Sequence, residues 1–137
     1  MLAADIIIEN CLIYGNSAGE DASGAGIAIA TGVPQIVNTN FVKNFGYALH
    51  NMSSTASPKI TNCIIWANTD AIQNTNDATP VVTYSDVQDG VDGIGNIDED
   101  PLFRNLDDGD MYLLEDSPCI NAGTATGAPT EDIVGTA

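Results

Sequence analysis

A repeat of twenty-odd residues limits this chain to few folds, because a period that short cannot hold a strand, a helix and a return. Three segments align from a proline: PQIVNTNFVKN (34 to 44), PKITNCIIWAN (58 to 68) and PVVTYSDVQDG (80 to 90). A fourth, IIIENCLIYGN (6 to 16), lacks the proline. In each copy an apolar pair or alternation leads to a bend residue, Asn10, Asn38, Asn62 or Tyr84, and these lie 28, 24 and 22 residues apart. A small residue follows, Cys11, Thr39, Cys63 or Ser85, and two places on an aliphatic or aromatic one, Ile13, Phe41, Ile65 or Val87. Such copies suit one turn of a solenoid.

Short runs rich in Ile and Val, joined by Asn, Gly and Ser/Thr bends, favour strand over helix. Strands at one position of successive turns are parallel and about 4.8 Å apart, so like residues form ladders along the axis. Asparagine suits the bends because it tolerates left-handed backbone and its amide can bond to the next turn. Asn10, Asn38 and Asn62 are expected to form one structural ladder, and the closing residues Asn16, Asn44 and Asn68 a second. Beyond the closing asparagines lie AIAT (28 to 31), ALHN (48 to 51) and AIQN (71 to 74), which align on their alanines. The longer first period then reflects a polar loop insertion, SAGEDASG at 17 to 24.

Charge narrows the partners. Nineteen acids face only Lys43, Lys59 and Arg104, a net charge of -16, so nucleic acid and anionic membrane, which need clustered cations, are not expected. No segment is apolar enough for a membrane span. The opening MLAADIIIEN has neither the basic flank nor the apolar run of a signal peptide, so the chain reads as an excised piece. Residues 1 to 85 hold six of the acids and residues 86 to 137 the other thirteen. The repeats thus occupy 1 to 90, and 91 to 137 reads as a loop-rich C-terminal cap of the same domain. Cys11 and Cys63 share a register position two turns apart, roughly 9 to 10 Å at that strand spacing, too far for a disulfide.

The order PKITNCIIWANTDAI, VVTYSDVQDG, GNIDEDPLF, GDMYLLEDSPCINAG and TEDIVGT resembles the C-terminal end of bacterial right-handed parallel β-helix repeat proteins of the pectin-lyase-like superfamily. The resemblance covers the chain from residue 6 and implies an all-β, right-handed parallel β-helix of about four turns, from a secreted or cell-surface protein. It also implies truncation at both ends. The superfamily includes lyases that use calcium and a basic residue, and hydrolases that use paired carboxylates. Neither set carries over: Lys43 and Lys59 occupy different register positions, Arg104 lies in the terminal block, and only Asp70 and Asp77 share a loop as a carboxylate pair.

Two ligand expectations remain. Calcium would suit the run DVQDGVDGIGNIDED, where Asp86, Asp89, Asp92, Asp98 and Asp100, with Glu99, offer hard oxygen ligands between glycines. The EF-hand pattern fails there, since its first and third positions fall on Gln88 and Gly90, so a solvated acidic loop is the competing reading. A polysaccharide would suit Trp66, whose neighbour Ile65 points inward and leaves the indole outward or in a loop, free to stack on a sugar. Asn51 begins an NMS sequon. Leu102, Phe103, Met111, Tyr112, Leu113 and Ile120 are expected to plug the last turn, with the acids around them in solvent. The N-terminal end, starting at Met1, shows no such cover, and is expected to meet a second copy or an upstream part of the protein. The function expected is a non-catalytic structural or adhesive module, with carbohydrate binding or a lyase or glycosidase fragment as alternatives.

Overall fold

The computed structural model describes residues 6–19 and 24–135, and in them every regular element is a strand. No helix among them is long and apolar enough to cross a membrane. The expectations that rest on Met1 and its neighbours, on residues 20–23 of the polar insertion and on the last two residues lie outside the described residues.

The strands fall into tiers. The first tier holds β1 (Ile7–Glu9), β2 (Leu12–Tyr14) and β3 (Ile27–Ile29); the second holds β4 (Gln35–Val37), β5 (Asn40–Val42) and β6 (Tyr47–Asn51). The third holds β7 (Lys59–Thr61), β8 (Ile64–Trp66) and β9 (Asp70–Asn74), and the fourth only β10 (Val81–Thr83) and β11 (Asp86–Val87). Like strands stack in parallel to give three sheets, β1-β4-β7-β10, β2-β5-β8-β11 and β3-β6-β9. The chain is therefore all-β with parallel, solenoid-like stacking. A hairpin, β12 (Phe103–Asn105) with β13 (Asp110–Leu113), adds the one antiparallel pairing among these elements.

The register follows the repeat. Ile8, Ile36, Ile60 and Val82 face one another through the first sheet, and Ile13, Phe41, Ile65 and Val87 through the second. With Leu49, Ala48 and Cys63 they make one core. The four bend residues all take left-handed backbone, with φ of 52° at Asn10, 48° at Asn38, 55° at Asn62 and 49° at Tyr84. A reversal between two three-residue strands demands that conformation, and asparagine adopts it at low cost.

The small residue after each bend has its own role. Cys11, Thr39, Cys63 and Ser85 each turn a side chain back to the carbonyl two residues earlier. The hydroxyls of Thr39 and Ser85 also accept the amide N–H of Cys11 and Cys63 one tier away. All three cysteines are free. Burial pushes the Cys63 thiol up to about 12, so it packs as a small apolar group.

The third sheet corrects one alignment. Ile27, not Ile29, pairs with Leu49, and Leu49 with Ile72. The residue matching Ala48 is thus Gly26, two places before the expected Ala28. A Cβ at Gly26 would run into the Ala48 carbonyl oxygen, so the position requires glycine and carries no alanine to align on. The insertion leaves the stack after Ser17, which still bridges Phe45, and rejoins at Ala25, which donates to the Tyr47 carbonyl at 3.0 Å.

Closure of the last tier is divided differently from the sequence expectation. Residues 94–97 cross it: Tyr84 donates to the Ile94 carbonyl at 2.8 Å, and the Ile97 amide donates to Ser85 while its carbonyl accepts from Val87. Asn96 completes the cover, accepting from the Ser85 amide and donating to the carbonyls of Val82 and Val91. Residues 101–135 run instead along the side of the stack. They meet the first tier where Asn10 donates to the Glu131 carbonyl, the second at Lys43–Asp107, the third at Asn62–Thr124 and the fourth at Asp86–Cys119. Tyr112 and Ile120, expected as plugs, are exposed. A plug at the stack end would reach only the last tier, whereas a lateral block bonds to all four.

Asn44 and Asn68 each carry four side-chain bonds in the closing ladder. Asn44 Oδ1 accepts from the backbone and side-chain nitrogens of Asn16, and its Nδ2 donates to the Ile13 carbonyl and to Asn68 Oδ1 at 2.8 Å. Asn68 in turn accepts from the Asn44 amide and donates to the Phe41 carbonyl. Asn44 is fully buried, and Asn44→Ala removes its bonds to Asn16, the Ile13 carbonyl and Asn68 together. Urea unfolding is expected to show a loss of about 2 kcal/mol.

Candidate functional site

The outward face of the second sheet carries two columns. One runs Leu12, Asn40, Ile64, Asp86; the other runs Tyr14, Val42, Trp66. The first column stands two residues past the Asn10, Asn38, Asn62 bend ladder and the second two residues before the Asn16, Asn44, Asn68 ladder, and the C-terminal block reaches both. Two clefts open between stack and block. One, of about 340 Å³, reaches from Asn38 and Asn62 to Asp86 and Cys119. The other, of about 410 Å³, reaches from Asn10 and Leu12 to Met111, Tyr112 and Ile133. Asn38 and Asn40 line both, so the clefts adjoin.

The bend ladder ties the two parts together. Asn62 Nδ2 donates to Asn38 Oδ1 and to the Thr124 carbonyl at 2.8 Å, while its Oδ1 accepts the Thr124 amide. Gly123 is pressed against that carboxamide, where a side chain would crowd it at 3.1 Å. Asn10 Nδ2 anchors Glu131. Pro101 and Ser117 are buried beneath the block, joined by a bond from the Ser117 hydroxyl to the Pro101 carbonyl.

Asp86 is the one buried carboxylate among the described residues, 3% exposed. One oxygen accepts the Glu99 amide, the other the Cys119 thiol at 3.0 Å. Loss of water raises its pKa above the ordinary carboxylate value; the two hydrogen bonds oppose the rise, and Asp98 and Glu99 add to it. The Cys119 thiol is pushed up to about 12, first by burial and then by the Asp86 carboxylate it bonds. Such a thiol keeps its proton at neutral pH and donates it to the Asp86 carboxylate as a hydrogen bond.

The other acids of the expected calcium loop go elsewhere. Asp98 accepts the Asp89 amide, Asp100 accepts the Leu102 amide, and Asp89 and Asp92 are exposed. Among the described residues no group of three or more His, Cys, Asp or Glu side chains is placed to hold a metal ion. Asp98 and Asp100 thus brace local turns. Trp66 is half-buried on β8, beside Val42, which is fully covered. Lys43 pairs with Asp107 at 2.9 Å, and Lys59 lies exposed on the outward face of the first sheet.

Sequence reasoning passed over Asn40 and Asn96, and it read Cys119 as a small buried thiol without its Asp86 partner. Asn40 had a signal, as a polar residue between Leu12 and Ile64 in the outward column. Asn96 and Cys119 had none, since both act across loops of irregular length. Set against family models, curated proteins and solved structures, the chain matches none of them.

Two outcomes follow. Because folded Asp86 holds its proton more tightly than the unfolded chain, its contribution to stability is full below the ordinary value of 3.8 and is lost as pH rises through the raised one. Asp86→Asn, neutral throughout, is expected to gain stability on the parent as pH rises from below 3.8 to neutrality; a pH-independent difference in urea unfolding would refute this. Millimolar calcium is expected to leave the melting temperature unchanged, because the five aspartates do not converge; a rise would show a site.

Proposed function

We propose that this chain is a non-catalytic structural or adhesive module of an extracellular or cell-surface protein, closed as a right-handed parallel β-helix of the pectin-lyase-like kind. Right-handed closure is supported by the parallel return of each strand to its own sheet, since such crossovers are right-handed in nearly all proteins. The observation that carries the function is the direction of the polar bonding. The carboxamides of Asn16, Asn44 and Asn68 bond along the axis from tier to tier, and the C-terminal block bonds to all four tiers. Side chains committed in that way resist shear and bending, which is what a spacer or stalk needs. An acidic surface, -16 overall, keeps such a rod from pairing with its neighbours.

Three measurements test the reading. Pulled by its ends in a force spectrometer, the chain is expected to yield in one cooperative event, and Asn44→Ala to lower the rupture force; tier-by-tier yielding at low force would contradict a stalk. Incubated with a polysaccharide panel with and without calcium, it is expected to release neither unsaturated nor reducing ends, and release would make it an enzyme. Protease added to intact cells that produce it is expected to remove it, as befits a surface location.

A further inference from the structure

The two ends of the stack are built differently, and one of them is open. At the far end residues 94–97 cross the fourth tier, and Val82 and Val87 there are buried. At the near end β1, β2 and β3 each stand last in their sheets, so one backbone edge of every strand has no strand partner among the described residues. Ile8, Ile13 and Ile27 pack against the core from this tier yet remain half-buried, while the residues they pair with, Ile36, Phe41 and Leu49, are fully covered. Ile6 and Ile7 extend the apolar surface, and a cleft of about 260 Å³ opens between the first and third sheets, lined by Ile6, Ile8, Ile27 and Ile29. Open strand edges round an apolar floor are a template for further strands.

Charge and symmetry choose the occupant. Glu9 is the one acid among the described residues of the first tier, whereas Asp86, Asp89, Asp92, Asp98, Glu99 and Asp100 lie in the fourth tier and the residues that follow it. Head-to-tail joining would set the open end against those acids and their covering segment, and it would grow without closing. Head-to-head joining brings together the two faces of least charge. The three strands run in one sense round the axis, so a two-fold turn makes every facing pair antiparallel. A two-fold through β2 would press the acidic C-terminal blocks of the two copies together, since the block lies against the second sheet. One through β1 sets β1 on its own copy and β2 on β3 of the other, and leaves the blocks on opposite sides. A turn of 22 to 28 residues encloses an end face on the order of 500 Å² at about 3.3 Å per residue, so two faces bury about 1,000 Å², the lower limit for a specific interface. We propose that this chain binds a second copy of itself through the first tier, edge to edge along β1, in a closed two-fold dimer. The acidic flanks keep such rods apart side by side and leave their open ends free to meet.

The test is sedimentation equilibrium of the whole chain from micromolar to millimolar concentration, with hydrogen exchange on the same samples. A monomer–dimer equilibrium with nothing larger is expected, with a dissociation constant on the order of 100 μM, because small interfaces are weak. Added salt is expected to tighten it by screening the charge of -16 on each copy. The amides of β1, β2 and β3 are expected to gain protection as the dimer fills. Ile7→Lys, at a side chain 58% exposed, is expected to weaken the dimer at least tenfold while the dilute monomer melts as the parent does. Ile94→Lys, 71% exposed at the far end, is expected to leave it unchanged. The exchange map on the unaltered chain stands whether or not a variant folds. The proposal is overturned by a growing series of oligomers, by protection gained elsewhere, by Ile7→Lys dimerising as well as the parent, or by loss of the dimer in Ile94→Lys. A chain that stays monomeric at millimolar concentration overturns it too, and would mean that the open end takes something other than a second copy.

Discussion

Strands of only three residues cannot hold themselves together, and the whole stack depends on the hydrogen bonds that run along its axis between tiers. The backbone ladders supply most of them, but the bends between strands expose amides and carbonyls that no ladder reaches. The Asn44 carboxamide meets that need most completely, closing the backbone of the Asn16 bend below it while its own backbone is closed by Asn68 above. Remove such a group and the Asn16 N–H loses its partner in the stack, along with the bonds that join its tier to the next. The same logic places hydroxyls at Thr39 and Ser85, next to cysteines that occupy the space but accept hydrogen bonds poorly.

A stack joined only through neighbouring tiers would behave as a one-dimensional array, free to fray from either end. The C-terminal block changes that by lying along the side. Its bonds to Asn10, Lys43, Asn62 and Asp86 reach every tier, so opening any one of them disturbs the block as well. The acidic block thus couples parts of the chain more than a hundred residues apart. The Lys43–Asp107 pair is exposed and adds little to that coupling, whereas the bonds of Asn62 and Asp86 are sheltered from water and add more.

The two adjoining clefts are a consequence of this arrangement. A lateral block made of turns cannot follow a pleated sheet as closely as another strand would, so space remains between them. Leu12 lines one cleft and Ile64 the other, with Asn40 between them lining both, so the space continues along the outward column. Asp86 lies at the far end of the same column, and there Cys119 and the Glu99 amide have closed the space.

The parallel tiers, their number, the inward column from Ile13 to Val87 and the left-handed bends at Asn10, Asn38 and Asn62 could be seen in the sequence. They arise from a local pattern repeated at nearly constant spacing, and each copy reinforces the reading of the others. The third sheet was misaligned because its marker in the first tier is Gly26, a residue chosen by the Ala48 carbonyl of another tier and not by its own neighbours in the chain. The place of residues 101–135 was likewise beyond local pattern. Asp and Gly turns around short apolar runs suit an end plug or a side block equally, and only contacts with Asn10, Asn62 and Asp86 decide between them. For the same reason the sequence offered both a calcium loop and a solvated acidic loop for six neighbouring acids, while the tertiary structure buries Asp86 against Cys119 and bonds Asp98 and Asp100 to nearby amides. Local repetition determined the stack; long-range packing, which obeys no period, decided what lies against it.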